Sequence, residues 1–309
     1  MKQKVVVSCP IDTYSGYGAR SRDFVQALIN LNKYDVEILA QKWGNCRAGY
    51  LDDHGNDEMS GLIIGEVTSK PDLWIQITVP NEFQPIGHFN IGVTAGIETT
   101  LCHASWVDGV NRMNVTLVSS QHAKTVFQQS TFEEKNGQGQ VVRQIKLEKP
   151  VEVLFEGVDL NKYFYIADED LDGTDLVQSL DEIKEEFCYL TVAHWLSGDQ
   201  GEDRKQLTTL IKSFLEAFKG KKKRPALLLK TSLAGFSITE RELILDKIDK
   251  IRKMVGGDLP NIYLVYGELS NEEMNDLYNH PKVKAFALVG NEGFGRPYLE
   301  FSAASSKPV

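Results

Sequence analysis

Two glutamates near the end of the chain frame a turn that could bind a charged ligand. Glu292 and Glu300 are separated by seven residues, which read Gly-Phe-Gly-Arg-Pro-Tyr-Leu. Gly293 and Gly295 allow the backbone to approach a ligand where a side chain would clash. Pro297 is favoured at the start of a helix, and the free N–H groups there attract an anion. The two carboxylates can accept hydrogen bonds from the hydroxyls of a ribose and a sugar.

Basic side chains that could neutralise a phosphate lie earlier in the same half. Asp203 is predicted to cap the helix that follows it, so Arg204 and Lys205 would flank a helix start. A diphosphate gains both side-chain charge and free N–H groups at such a place. Lys230 ends a predicted strand, and the carboxyl ends of strands line the ligand crevice of open α/β sheets. The alternative for each of these residues is a solvated surface position.

The first half offers two further candidate sites. Gly16 and Gly18 follow the first strand and open a helix, so backbone N–H groups there could face a phosphate or sugar. A dinucleotide-binding fingerprint would need a third glycine where Ser21 stands. Glu98 and His103 follow another strand and could contact an acceptor hydroxyl. Histidine can act as acid or base near neutral pH, although a lone histidine is more often structural.

Runs of like charge raise two further possibilities, nucleic-acid binding and metal binding, and support neither strongly. The formal net charge of −9 argues against general nucleic-acid binding, although Lys219–Arg224 is a basic run. Asp168–Gly173 contains D-x-D and the first half of a calcium-loop pattern, but Ser179 stands where that loop needs a glutamate. We interpret the acidic stretch as solvated and predict no metal site.

Composition points to a globular protein in a reducing compartment. The four cysteines are scattered without C-x-x-C spacing, so neither a zinc site nor a disulfide framework is predicted. No apolar run approaches a membrane span, and no signal-peptide cleavage site follows the first apolar residues. These features favour the cytoplasm.

Alternating strand and helix patterns predict an α/β fold with two domains. We predict an amino-terminal domain over residues 1–166, an acidic linker over 167–186 and a second domain over 187–309. Leu207, Leu210, Ile211, Phe214, Leu215 and Phe218 form the apolar stripe of one helix. A further strand would be expected at Lys307–Val309, so the second domain is predicted to be incomplete.

The run from Glu292 to Glu300, with the Ala-rich stretch and Lys-Pro-Val after it, resembles the E-x7-E motif of retaining glycosyltransferases. That motif belongs to family 4 of the GT-B fold. Glu156–Asp159 resembles the family's N-G-V-D turn, with Glu156 in place of Asn. Lys205 matches the family lysine that precedes the helix with the apolar stripe, which begins near Leu207. The family also carries an arginine before that lysine, where this chain has Ala193-His194-Trp195.

The resemblance implies two Rossmann-like domains facing a cleft, with a nucleoside diphosphate sugar as substrate and no cofactor or obligatory metal. It implies that Glu292 contacts the donor sugar, that Glu300 holds the ribose, and that Lys205 with Arg204 stabilises charge on the leaving diphosphate. We predict two sets of site residues from the motifs and the resemblance together. The catalytic set is Glu292, Lys205, Arg204 and His103. The donor-binding set is Gly16, Gly18, Lys230, Gly293, Phe294, Gly295 and Glu300, with Glu98 on the acceptor side.

Three hypotheses remain open at this point. The first is a retaining glycosyltransferase, and the second is a degenerate nucleotide-sugar-binding or structural module without turnover. The third is a glycosyltransferase that modifies DNA bases, because Ile11–Asp23 also resembles glycosyltransferase-like proteins of tailed phages. A phage protein of that kind would work in the host cytoplasm. The donor base, the sugar and the acceptor, which could be a glycan, a small molecule or DNA, are not predicted.

Overall fold

The computed structural model describes residues 2–171, 173–195, 202–233, 235–288, 290 and 292–309. The described chain divides into two compact units, Met1–Glu156 and Gly157–Val309. Each unit has its own parallel sheet and its own buried core. The α/β class predicted from the alternating patterns is confirmed.

The first unit is built on a six-stranded sheet in the order β2-β1-β3-β4-β5-β8, with all pairs parallel. Val5, Val6 and Val7 of its first strand are all buried, as expected for a strand covered on both faces. Its strands are Gln3–Cys9 (β1), Tyr34–Ala40 (β2), Leu73–Ile77 (β3), Phe89–Thr94 (β4), Val115–Val118 (β5), Phe132–Lys135 (β6), Val141–Ile145 (β7) and Val151–Val153 (β8). Its α-helices are Gly16–Leu31 (α1), Tyr50–Asp53 (α2), Asp57–Ser60 (α3), Ala104–Asn111 (α4) and Gln121–Gln129 (α5).

The first unit also contains an antiparallel hairpin over residues 132–145. Strands β6 and β7 pair antiparallel, and the Asn136 side chain accepts hydrogen bonds from the backbone N–H groups of Gln138 and Gln140. Gly139, rather than Gly137, takes the positive φ, at 78°. The side-chain bonds of Asn136 therefore shape the turn, and the left-handed residue comes later than the Asn-Gly pair.

The second unit is built on a four-stranded parallel sheet in the order β11-β10-β9-β12. Its strands are Cys188–Val192 (β9), Ala226–Lys230 (β10), Ile262–Val265 (β11) and Val283–Phe286 (β12). Its α-helices are Asp175–Asp181 (α6), Leu207–Phe218 (α7), Ile238–Val255 (α8), Asn271–Asn279 (α9) and Arg296–Ala304 (α10). The order reverses direction between β9 and β12, which is where open α/β sheets bind ligands.

Local sequence signals explain most helix positions in this unit. The apolar stripe of α7 is buried against β9 and β10, and Ser237 and Ser270 form capping boxes with the glutamates three residues later. Asp203 does not occupy the N-cap of α7 as predicted, because the helix begins only at Leu207. Its carboxylate instead accepts a hydrogen bond from the Leu207 N–H at 2.6 Å.

The acidic segment before β9 packs as part of the second unit. Helix α6 buries Val177 and Leu180, and Leu180 belongs to the same cluster as Leu190 of β9 and Phe301 of α10. At the carboxyl end of α6, the Asp181 carboxylate lies 3.3 Å from His280 Nε2. In the described part of the chain, no helix is long and apolar enough to cross a membrane.

Candidate functional site

The predicted charged residues of the second unit gather at the carboxyl edge of its sheet. His194 follows β9, Lys230 ends β10 and Glu292 follows β12. Parallel strands bring their carboxyl ends to one edge, and the β9–β12 reversal leaves a crevice there. This edge is therefore the place in the unit best suited to hold a ligand.

The turn after β12 depends on two glycines. Gly290 has a φ of 140°, and a Cβ there would lie 2.5 Å from the backbone oxygen of Lys205. Gly295 has a φ of 84° and is the N-cap of α10, with Pro297 in the first turn as predicted. No side chain in the described residues caps this helix, so its first N–H groups can face an anion.

Lys205 and Glu292 form an ion pair, although they lie 87 residues apart by their numbers, 292 − 205. Their side chains are only 13% and 19% exposed. An ion pair with little water around it is screened weakly, so the attraction between the two groups holds both side chains in place. The structure thus joins the residue predicted for the diphosphate to the residue predicted for the donor sugar.

Glu300 is held by two neighbours on the carboxyl side of the turn. The Tyr278 hydroxyl donates a hydrogen bond to Glu300 Oε2 at 3.2 Å, and Arg296 Nε lies 3.6 Å from Oε1. Tyr278 is fully buried, and burial together with the Glu300 charge raises its phenol pKa well above 10.0. The phenol therefore stays a hydrogen-bond donor and sets the direction of the carboxylate.

Lys230 and His194 place two more nitrogens at the same edge. Lys230 Nζ donates to the Gly267 carbonyl at 2.5 Å, and burial lowers its pKa to about 8. The Nδ1 of His194 lies 2.9 Å from Ser232 Oγ. The His194 pKa is lowered, first by lost hydration and then by the positive charges of Lys230 and Lys205. The His194 shift thus includes an effect of nearby positive charge, whereas the Lys230 shift comes from burial.

The remaining predicted residues of this unit lie around the same turn. Gly293 and Phe294 are half-buried in the segment between Glu292 and α10. Arg204 is exposed next to Lys205 and has contacts of its own. Their predicted roles remain predictions.

The predicted residues of the first unit lie near the carboxyl edge of its own sheet. The Gly18 N–H donates to Ser15 Oγ at 2.9 Å, and a Cβ on Gly18 would lie 2.2 Å from the Thr13 oxygen. Gly18 is thus required for packing, whereas a Cβ on Gly16 would meet nothing within 4 Å.

His103 and Glu98 also lie in the first unit. His103 is the N-cap of α4, and its Nδ1 accepts a hydrogen bond from the Ser105 N–H at 3.2 Å. This contact caps the helix, and the predicted catalytic role of His103 stays a prediction. Glu98 is half-buried and close enough to Tyr17 to contribute to the raised pKa of that phenol.

Among the described residues, neither of the two units contains a cluster of side chains suited to a metal ion. No group of three or more His, Cys, Asp or Glu side chains that could hold an ion occurs among the described residues. The D-x-D run includes Asp172, which lies outside them.

Three residues of this edge were not predicted as site residues from the sequence. His194 was noticed only as a departure from the family arginine, and its position after a strand was the available signal. Arg296 lies inside the motif, one turn before Glu300. Tyr278 has no local signal, because it reaches Glu300 from another helix, 22 residues away.

Comparison with solved structures finds the same fold in glycosyltransferases. A trehalose-6-phosphate synthase from E. coli bound with UDP-2-fluoro glucose has a TM-score of 0.59 at 10% identity, covering 98% of this chain and 82% of that one. An α,α-trehalose-phosphate synthase (UDP-forming) from Burkholderia vietnamiensis has a TM-score of 0.60 at 12% identity, with 99% and 82% covered. No family model and no curated protein sequence matches the chain.

A third structure is an α-glucosyltransferase in complex with UDP and a 13-mer DNA containing an HMU base. It has a TM-score of 0.52 at 12% identity, covering 100% of this chain and 79% of that one. These structural neighbours are GT-B glycosyltransferases, so the predicted fold class is confirmed.

Proposed function

We propose that the protein is a retaining glycosyltransferase that uses a nucleoside diphosphate sugar. The observation that carries the proposal is the joining of Lys205, Glu292 and Glu300 around one glycine turn and helix start, at the reversal point of the second sheet. The GT-B fold of the neighbours supports the same class, and one of them is bound with UDP-2-fluoro glucose.

In the proposed reaction an acceptor hydroxyl forms a new bond to the anomeric carbon of the donor sugar. The bond from that carbon to the diphosphate oxygen breaks, and the hydroxyl proton leaves with the diphosphate. Negative charge grows on the diphosphate as this bond breaks. Lys205, Arg204 and the N–H groups at the start of α10 stabilise that charge, which is often the largest contribution to catalysis. Because these groups neutralise the diphosphate, the proposal includes no metal ion.

Binding of the donor exchanges the partners of the ion pair. Lys205 leaves the Glu292 carboxylate for the diphosphate, and Glu292 becomes available to the hydroxyls of the sugar. Glu300, directed by Tyr278, accepts hydrogen bonds from the ribose. In this proposal, Lys205 and Glu292 pair with each other in the free protein, and each contacts a different part of the donor in the complex.

The first experiment is a thermal-shift panel of UDP, GDP, ADP and dTDP with EDTA present throughout. We expect one nucleotide to raise the melting temperature and Glu300→Ala to abolish that shift, because binding to the folded state alone stabilises it. Glu216→Ala is a matched control, because this exposed glutamate of α7 pairs with Lys212 rather than lying at the turn. No shift with any nucleotide would contradict the proposed donor site.

Turnover separates the enzyme from a binding module. The matching nucleotide sugar is incubated with a glycan, a small-molecule or a duplex DNA acceptor, and release of the nucleoside diphosphate is followed. The enzyme hypothesis requires release that depends on the acceptor and is lost in Lys205→Ala. Binding without any release would leave the non-enzymatic module as the better description.

A further inference from the structure

A histidine lies beside the two lysines of the candidate site. His194 follows β9, Lys230 ends the neighbouring β10, and both Lys230 and Lys205 act on the imidazole through their charges. The His194 side chain is exposed, so a ligand at this edge can reach it. The imidazole is therefore an accessible third nitrogen where two ammonium groups already attract an anion.

The hydrogen bond of the imidazole suits both of its protonation states. Nδ1 lies 2.9 Å from the hydroxyl of Ser232, a buried residue at the end of β10. A hydroxyl can donate to neutral Nδ1 or accept from a protonated one by rotating its hydrogen. A backbone hydrogen bond with Leu233 also favours the protonated ring. Protonation therefore breaks no contact and adds an N–H donor to the ring.

The surrounding charges decide when this protonation occurs. In the free protein, lost hydration and the two lysines lower the His194 pKa, although the ring reaches solvent. Glu292 is close by, but it is paired with Lys205. Glu268 and Glu273 act on Lys230. The ring is thus mostly neutral near pH 7, and an anion bound between the nitrogens reverses the sign of the local field.

We propose that His194 binds the diphosphate of the donor and takes up a proton as the donor binds. This inference rests on the proposed function, because it needs a diphosphate at this edge. It makes donor affinity depend on pH: the protonated ring strengthens binding, and affinity falls as the pH rises from the pKa of the free state to the higher pKa of the bound state. The loss reaches at most about tenfold per pH unit, since a single proton is linked.

The test uses intact UDP-, GDP-, ADP- and dTDP-glucose, whose phosphates do not titrate near neutrality. The one that binds the protein is titrated calorimetrically from pH 5.5 to 7.5, in two buffers with different ionisation enthalpies. Wild type should take up a fraction of one proton and bind more weakly as the pH rises. His194→Gln should bind more weakly, with no proton uptake and no pH dependence in this range.

Two further variants identify the titrating group. His194→Arg should bind tightly at every pH without proton uptake, because arginine is always protonated. It also keeps the test valid if the glutamine variant folds poorly. Lys230→Arg should retain the pH dependence, which excludes the lysine whose pKa lies at about 8. His88→Gln, an exposed histidine of the first unit, should behave as wild type.

The outcomes separate the two proposals. Binding with the same proton uptake in His194→Gln as in wild type would overturn the role of His194 and leave the donor site intact. Binding to wild type without proton uptake would overturn it as well. If no nucleotide sugar binds at any pH, the proposed function fails and this inference fails with it.

Discussion

At the scale of residues, the candidate site is a set of opposed charges held close together. Lys205 and Glu292 pair with little exposure, and Glu300 is held between Tyr278 and Arg296. An exposed pair of this kind would contribute little, whereas breaking a shielded pair is costly, so both partners are held in place. In the proposed function, a donor would meet a Glu300 carboxylate that is already oriented, which lowers the entropy cost of binding.

Tyr278 tests whether orientation of Glu300 matters for binding. We expect Tyr278→Phe to weaken binding of the nucleotide sugar about tenfold, because a hydrogen bond to a charged group is lost. Calorimetric titration measures the affinity. Tyr263→Phe is the control, since the Tyr263 hydroxyl donates to Glu185 instead. Equal affinity in Tyr278→Phe and wild type would show that the Tyr278 hydroxyl is not needed to orient the carboxylate.

At the scale of elements, helix starts and strand ends bring the functional groups together. Helix α10 begins with a glycine in the left-handed region, which leaves its first N–H groups without a side-chain cap in the described structure. Helix α1 differs, because Ser15 caps it and binds the Gly18 N–H. The glycine loop that forms the first turn of α1 therefore resembles a ligand-binding turn in sequence, while one of its glycines, Gly18, is needed for packing.

The two glycines of that loop should respond differently to the same change. Gly18→Ala should lower the free energy of unfolding by about 1–3 kcal/mol, because the new methyl group overlaps the Thr13 carbonyl. Gly16→Ala should change it by less than about 0.5 kcal/mol, because that position is open. Urea unfolding of both variants measures the difference. Equal stability in the two variants would show that the Thr13 turn adjusts at little cost.

At the scale of the whole molecule, two separate cores carry the stability. The first packs Val5, Val7 and Cys9 of β1 against α1, and the second surrounds β9. All four cysteines are free thiols in this structure. Burial raises the pKa of the Cys9 thiol from 9.0 to about 12. The folded protein thus keeps a proton that the unfolded chain releases.

This shift predicts part of the alkaline instability of the protein. The contribution is complete below pH 9.0, the ordinary value, and is lost as the pH rises toward about 12. Cys9→Ala should therefore make the free energy of unfolding fall less steeply above about pH 9, by up to ~1.4 kcal/mol per pH unit. Val25→Ala, which truncates an equally buried side chain, should leave the slope unchanged. An unaltered slope in Cys9→Ala would contradict the assignment.

The sequence by itself determined the α/β class, most strands and helices, and the motif residues Glu292, Lys205 and Glu300. These depend on local periodicity, on capping residues and on a resemblance carried by a short run of residues. Asp203 shows the limit of local reasoning, because a left-handed residue at Gln206 delays the start of α7. Only the tertiary structure decided that Lys205 meets Glu292, that Tyr278 directs Glu300 and that the charges of Lys205 and Lys230 act on His194. These contacts join distant parts of the chain, and they form because parallel strands bring their carboxyl ends to one edge of the sheet.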